Sequence, residues 1–129
     1  NGCGFIAGTN ELVEITSALR FKENIRTLES VTDRITSLRP VRYVGKPGMG
    51  DGRENIGLIA EEVEALFPEL VTYNPDGQVQ GLMYERLASI LLKEVQDANK
   101  RENEYKARVI ELETKLTAFE SRLTALENK

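Results

Sequence analysis

The stretch "YERLASILLKEVQDANKRENEYKARVIELETKLTAFESRLTAL", residues 84–126, decides the architecture of this chain. Its apolar residues recur at alternating spacings of four and three. One row is Tyr84, Leu91, Ala98, Tyr105, Leu112, Phe119 and Leu126; the other is Ala88, Val95, Glu102, Val109, Leu116 and Leu123. Only Glu102 departs from the pattern, so the stretch reads as a heptad seam with the first row at d and the second at a. No proline or glycine interrupts residues 82–129. A helix of that length would run about 65 Å at about 1.5 Å per residue. One small core cannot cover it, and the pattern predicts partners outside the chain. A solvated amphipathic helix lying on its own domain is the alternative.

The flanking charges choose the pairing. Arg101, Arg108, Lys115 and Arg122 fall at g; Lys106, Glu113, Glu120 and Glu127 fall at e. In a parallel, in-register bundle, g of one chain meets e of the next heptad on its neighbour. That sets Arg108 against Glu113, Lys115 against Glu120 and Arg122 against Glu127. Arg101 against Lys106 is the one repulsive pair. An antiparallel arrangement would set like charge against like. Each exposed pair contributes only about 0.2–1 kcal/mol, but the sum favours a parallel homo-oligomer. Leucine at a, with bulky Tyr105 and Phe119 at d, points to a trimer.

The bulk properties narrow the function. At 129 residues the chain holds one domain, or a small domain plus an extended element. A net charge of −4 and a pI near 5.0 argue against a nucleic-acid binder. No apolar run approaches the roughly 20 residues that cross a bilayer, so no membrane partner is expected. With no histidine and a single cysteine, Cys3, a metal site is not expected either, and neither is a cofactor. Catalysis would have to run on hydroxyls, lysine, tyrosine or carboxylates. The opening "NGCGFIAGTN" starts no recognisable element and reads as a piece of a longer chain.

Between these ends lies the pattern of a small α+β domain. "KENIRTLESVTDRITSLRP" carries an apolar stripe of Ile25, Leu28, Val31, Ile35 and Leu38 that predicts a helix stopped by Pro40. "VRYVGK" predicts a strand, followed by the glycine-rich loop "PGMGDG", which lacks the strand–loop–helix context of a phosphate-binding loop. "NIGLIAEEVEALFP" reads as a second helix burying Leu58, Ile59, Val63, Leu66 and Phe67 and ending at Pro68. Its run of Glu61, Glu62 and Glu64 reads as the wet face of that helix rather than an acid–base site. "LVTYNPDGQVQGLMY" predicts a hairpin whose turn places Gly77 in a left-handed conformation. The fold class is therefore α+β, with a compact domain over 17–83 and a coiled-coil tail over 84–129. The core is modest, and marginal without an oligomer.

The combination of "SALRFKENI", "PVRYVGK" and "GLIAEEVEALFPELV" resembles the self-cleaving intramolecular chaperone domain at the C-terminal end of phage tailspikes, tail fibres and neck appendages, the endosialidase type. The resemblance covers about residues 9–129. It implies a homotrimer that folds the β-structured fibre segment preceding it, in the host cytoplasm during virion assembly. It also implies that the domain then cuts itself off at the Thr16–Ser17 bond, with residues 1–16 as the end of the upstream segment. Ser17 would be the nucleophile and Lys22 its base. Ala18 stands where the family carries aspartate, with Arg20 and Asn24 as further motif positions. If the aspartate orients the pair or shapes a turn, this version is expected to cut slowly or not at all. The rival reading is a structural trimerisation domain that never cuts.

A serine–lysine pair works without histidine when the lysine is neutral. A free lysine titrates near 10.4, so reaching about 7–8 needs roughly 3–5 kcal/mol of destabilisation of the ammonium. Burial or a nearby cation, Arg20 or Arg26, would supply it. Positions five apart diverge by roughly 140° on a helix and face opposite sides of a strand. Ser17 and Lys22 therefore meet only if the chain turns between them, or if the lysine reaches a serine on a neighbouring chain. The plain alternative is Ser17 as a helix N-cap and Lys22 as a solvated side chain.

Overall fold

The computed structural model of the chain describes residues 3–5, 12–14 and 17–129, the first two as paired backbone. It is a mixed α+β arrangement. Three two-stranded antiparallel hairpins and two short helices precede one long helix. Strands β1 (Cys3–Phe5) and β2 (Leu12–Glu14) pair with Gly4 opposite Val13, so the opening residues do form an element, contrary to the reading of the sequence. Helix α1 (Thr32–Ile35), strands β3 (Val41–Val44) and β4 (Glu54–Gly57), helix α2 (Ala60–Leu66) and strands β5 (Val71–Tyr73) and β6 (Val79–Leu82) follow. Helix α3 (Tyr84–Glu127) completes the chain and is 44 residues long.

Two expected helices are shorter than their sequences suggest. Residues 22–30 form no helix, and α1 is a single turn. Asn24 adopts φ 54°, a left-handed backbone that asparagine tolerates and a helix does not. Ile25 remains 63% exposed, so the first half of the stripe has no surface of its own chain to pack on. Packing, more than intrinsic propensity, holds a helix together. Only Val31, Ile35 and Leu38 find the core, and only there does the backbone coil. The second expected helix loses its first residues to β4, which pairs with β3 in the register Val41 opposite Gly57 to Val44 opposite Glu54. Cross-strand hydrogen bonds outweigh the local helical pattern, and α2 begins at Ala60. Ile59, expected on the buried face, is exposed.

The end of α2 and the following hairpin match the expectation. Phe67 ends α2, and Pro68 opens a 3₁₀ turn through Leu70. The β5–β6 hairpin turns through Gly77 at φ 80°. The Asn74 side-chain oxygen accepts from the backbone N–H groups of Asp76 and Gln78, at 3.0 and 2.9 Å, and so organises the turn.

The core is built from Val31, Val63, Phe67, Leu70, Val71 and Ile90. Among the described residues no others of apolar type are buried, so this core covers only the first turns of α3. The Arg34 guanidinium stacks over the Phe67 ring at 4.4 Å and donates to Glu69 at 3.2 Å, closing the core from above.

A polar clamp ties α1 to α3. The Thr32 hydroxyl donates to Glu94 Oε2 at 2.7 Å, while Arg101 donates to Glu94 Oε1 at 2.6 Å and to Thr32 Oγ1 at 3.2 Å. The Thr32 hydrogen bond and then the Arg101 guanidinium hold the Glu94 carboxyl below its ordinary range. A depressed folded-state pKa contributes stability above the unfolded value, which is lost as the pH falls through the folded value. Glu94→Gln is therefore expected to lower the thermal midpoint at pH 7. The gap from the parent should shrink as the pH is taken below the ordinary value of 4.5, measured by melts at fixed protein concentration. Phe67→Ala, at a fully buried site, should cost about 3–5 kcal/mol in guanidinium unfolding.

Candidate self-cleavage and assembly site

The segment after Ser17 begins with a 3₁₀ turn over Leu19–Phe21. The Phe21 N–H donates to the Ala18 carbonyl at 3.1 Å and the Lys22 N–H to the Leu19 carbonyl at 3.0 Å. Ala18 enters the turn extended, at φ −63° and ψ 148°, and Lys22 leaves it extended, at φ −128° and ψ 144°. This reversal brings two side chains five residues apart onto one side of the backbone. Lys22 Nζ donates to Ser17 Oγ at 2.8 Å. The contact lies within one chain. Ser17 does not cap a helix: Ala18 holds the cap position of the turn, and no side chain caps it there.

The neighbouring motif residues take other places. The Arg20 guanidinium lies 4.5 Å from the centre of the Phe21 ring. Asn24 adopts a left-handed backbone two residues beyond Lys22. Among the described residues, neither Arg20 nor Asn24, nor Arg26, makes a side-chain hydrogen bond to Ser17 or Lys22. Both members of the pair are exposed, as is Ala18. Thr16, the other side of the expected scissile bond, lies outside the described residues.

The long helix presents the second half of the site. Its a and d residues are exposed along its whole length, Leu112, Leu116 and Leu123 among them. The helix does lie against its own domain, but through a different stripe: Leu87, Ile90, Glu94 and Arg101, at positions g and c. Arg101, the one g residue with a repulsive partner in the charge pattern, is held within the chain by Glu94 and Thr32. Lys106, its would-be opponent, pairs with Glu102 at 3.0 Å. Lower down, Lys115 and Arg108 both pair with Glu111, at 2.9 and 3.0 Å, and hold its carboxyl below the usual range, Lys115 foremost.

Sequence reasoning missed the Thr32–Glu94–Arg101 clamp. Its only signal was the misfit of Arg101 in the charge pattern. The acidic run on α2 is also less plain than its sequence. Arg39 forks onto Glu62 through Nε and Nη2 at 3.1 and 3.2 Å, and one Glu64 carboxylate oxygen is buried without a hydrogen-bond partner. Lost solvation, and then the Glu64 charge, push the Tyr73 phenol above its ordinary range. Among the described residues no group of carboxylates and cysteine is placed to hold a metal ion, and no helix is long and apolar enough to cross a membrane.

Residues 17–72 match the family described as "Chaperone of endosialidase". A stretch of 71 residues, 51% of the chain, is 34% identical to the long tail fiber protein Gp37 of Escherichia phage AR1. Another of 107 residues, 78% of the chain, is 31% identical to the long tail fiber protein Gp37 of Salmonella phage S16. The chain spans 6% of the length of the first protein and 14% of the second. Through residues 17–72 the chain belongs to the chaperone-of-endosialidase family.

Proposed function

We propose that this domain is an intramolecular chaperone of a phage tail fibre. It trimerises in parallel through α3, guides the folding of the β-structured segment preceding it, and then releases itself by cutting the Thr16–Ser17 bond. The work is done in the host cytoplasm during virion assembly, and the domain leaves the mature fibre. The observation that carries the reading is the 2.8 Å contact between Lys22 and Ser17, at the point where the family match begins.

In the chemistry this requires, Ser17 Oγ attacks the Thr16 carbonyl carbon as its proton passes to Lys22 Nζ. The Thr16 C–N bond breaks, the proton goes to the departing Ser17 amine, and an ester joins Thr16 to Ser17 Oγ. Water then hydrolyses the ester to the Thr16 carboxylate and the free hydroxyl. The hydrogen bond in the chain alone runs from lysine to serine, as an ammonium donates. Base catalysis needs it reversed, with the hydroxyl donating to a neutral amine. Desolvating an ammonium drives that reversal. Both side chains are exposed on the single chain, so assembly with sister chains and the upstream segment supplies the burial. Cutting thereby waits for correct assembly, and it leaves a fibre that is kinetically trapped.

Ala18 favours a second reading, a trimerisation domain that does not cut. An aspartate at this cap position would accept from the N–H groups of the turn, a bond worth about 1 kcal/mol that alanine cannot make. Ala18→Asp is expected to restore a fragment beginning at Ser17, detected by intact mass after expression. Adding Ser17→Ala or Lys22→Met should abolish it. A trimer, confirmed by light scattering, that yields no fragment with Ala18→Asp would establish the non-cutting reading instead. Leu112→Asp with Leu116→Asp should give monomers that stay whole even with Ala18→Asp, and efficient cutting by such monomers would overturn the dependence on assembly.

A further inference from the structure

A groove of about 360 Å³ runs where the compact domain meets the start of α3. Ile35, Leu38, Ile56, Leu58, Leu87 and Leu91 line it. Its floor is Gly57, where a Cβ would come within 3.2 Å of both the Tyr43 ring and the Tyr84 hydroxyl. The Leu58 N–H donates to that hydroxyl at 3.4 Å, fixing the tyrosine as one wall. The lining is almost wholly carbon and offers no converging polar groups to orient a small molecule. An apolar protein side chain suits it better.

The heptad register names the side chain. Tyr84 and Leu91 are d residues and Leu87 is a g residue, so the groove opens on the d/g edge of the helix and continues the bare seam. The rule that sets Arg108 against Glu113 of a neighbour, Lys115 against Glu120 and Arg122 against Glu127 places each g residue beside the e residue five positions later. Applied to Leu87, it selects Leu92. That residue is the only apolar one among the e positions of α3, where Glu85, Asn99, Lys106, Glu113, Glu120 and Glu127 occupy the others. It is 58% exposed on its own chain, although it stands beside the best-packed turn of the helix. The geometry points to Leu92 of a second copy as the occupant of this groove. The inference rests on the parallel trimer proposed above. It extends the interface from the helices to the compact domains, so that each domain is held by its own helix and by its neighbour's.

The full chain carrying Ile56→Cys and Leu92→Cys, with Cys3→Ser, tests this with a short bismaleimide cross-linker. Covalent dimers and trimers on a denaturing gel are expected, with none from either single-cysteine variant. A trimer by light scattering whose cysteines join only within one chain would overturn the groove assignment and leave the seam standing. A monomer by light scattering would overturn both. As a second measurement, Leu92→Asp should weaken assembly about tenfold or more in dilution experiments, whereas Ile110→Asp, equally exposed but outside the seam, should not. Equal effects from the two would count against the groove.

Discussion

The structure depends on a division of labour around the circumference of one helix. Over Tyr84–Arg101, α3 carries two separate stripes. Leu87, Ile90, Glu94 and Arg101 face the compact domain, while the a and d residues lie to one side and remain exposed, although the Tyr84 hydroxyl accepts from the Leu58 N–H. The domain therefore cannot satisfy the seam by folding back on it, because it already holds the helix by a different face. Burial of apolar area is the main favourable term in association as in folding. A row of exposed leucine, valine, tyrosine and phenylalanine continues to Leu126, apolar area that the proposed partner chains would cover. The small core makes the same demand from the opposite side, since it is sized to hold the helix but not to hide it.

Charge placement follows the same division. Arg101 is the single g residue whose partner in a parallel bundle would repel it, and it is the one withdrawn into the Thr32–Glu94 clamp. Lys106 is neutralised by Glu102, which is also the single polar residue at an a position. The heptad that looks defective in isolation is thus where the compact domain ends its hold on the helix. Below it the g and e charges would be complementary between neighbours in the proposed parallel bundle. Within one chain, Glu111 at c serves Arg108 and Lys115. These exposed pairs contribute little each, so they would pose no large barrier to changing partners on the proposed assembly.

Much of this could be read from residues alone, and the boundary between what could and could not is physical. The long helix begins at Tyr84, where the heptad pattern begins, because a 3.5-residue period sustained over six heptads has no competing structure. The 74–78 turn was equally plain, since its chemistry is local. The helix expected over 22–39 was misread because its stripe is real but only its second half has a surface to meet within the chain. The start of α2 was misread because β3 competes for residues 54–57, and strand pairing is invisible to local periodicity. For the Ser17–Lys22 pair, spacing defined what was required, a turn, but could not say whether the turn existed. The turn depends on the extended entry at Ala18 and exit at Lys22, and neither follows from residue type.

Pre-placing a serine and a lysine in one chain changes what assembly has to accomplish. The 3₁₀ turn already brings Nζ to 2.8 Å from Oγ, so on the proposed reading no large movement is needed to create a reacting pair. What would remain is to desolvate an exposed amine. On the proposed reading, exclusion of water by sister chains would be a graded, reversible influence until the bond is cut, acting only where the packing is complete. In that proposal a misassembled intermediate would leave the lysine in water, and the pair would stay an ordinary hydrogen bond. On the proposed reading, timing is thus set by the dielectric around Lys22 rather than by a moving lid. The exposed, irregular run from Lys22 to Ser30 suits that reading: it would leave the Ser17–Lys22 turn accessible to neighbours, while the clamp at Thr32 fixes the next point of the chain to α3.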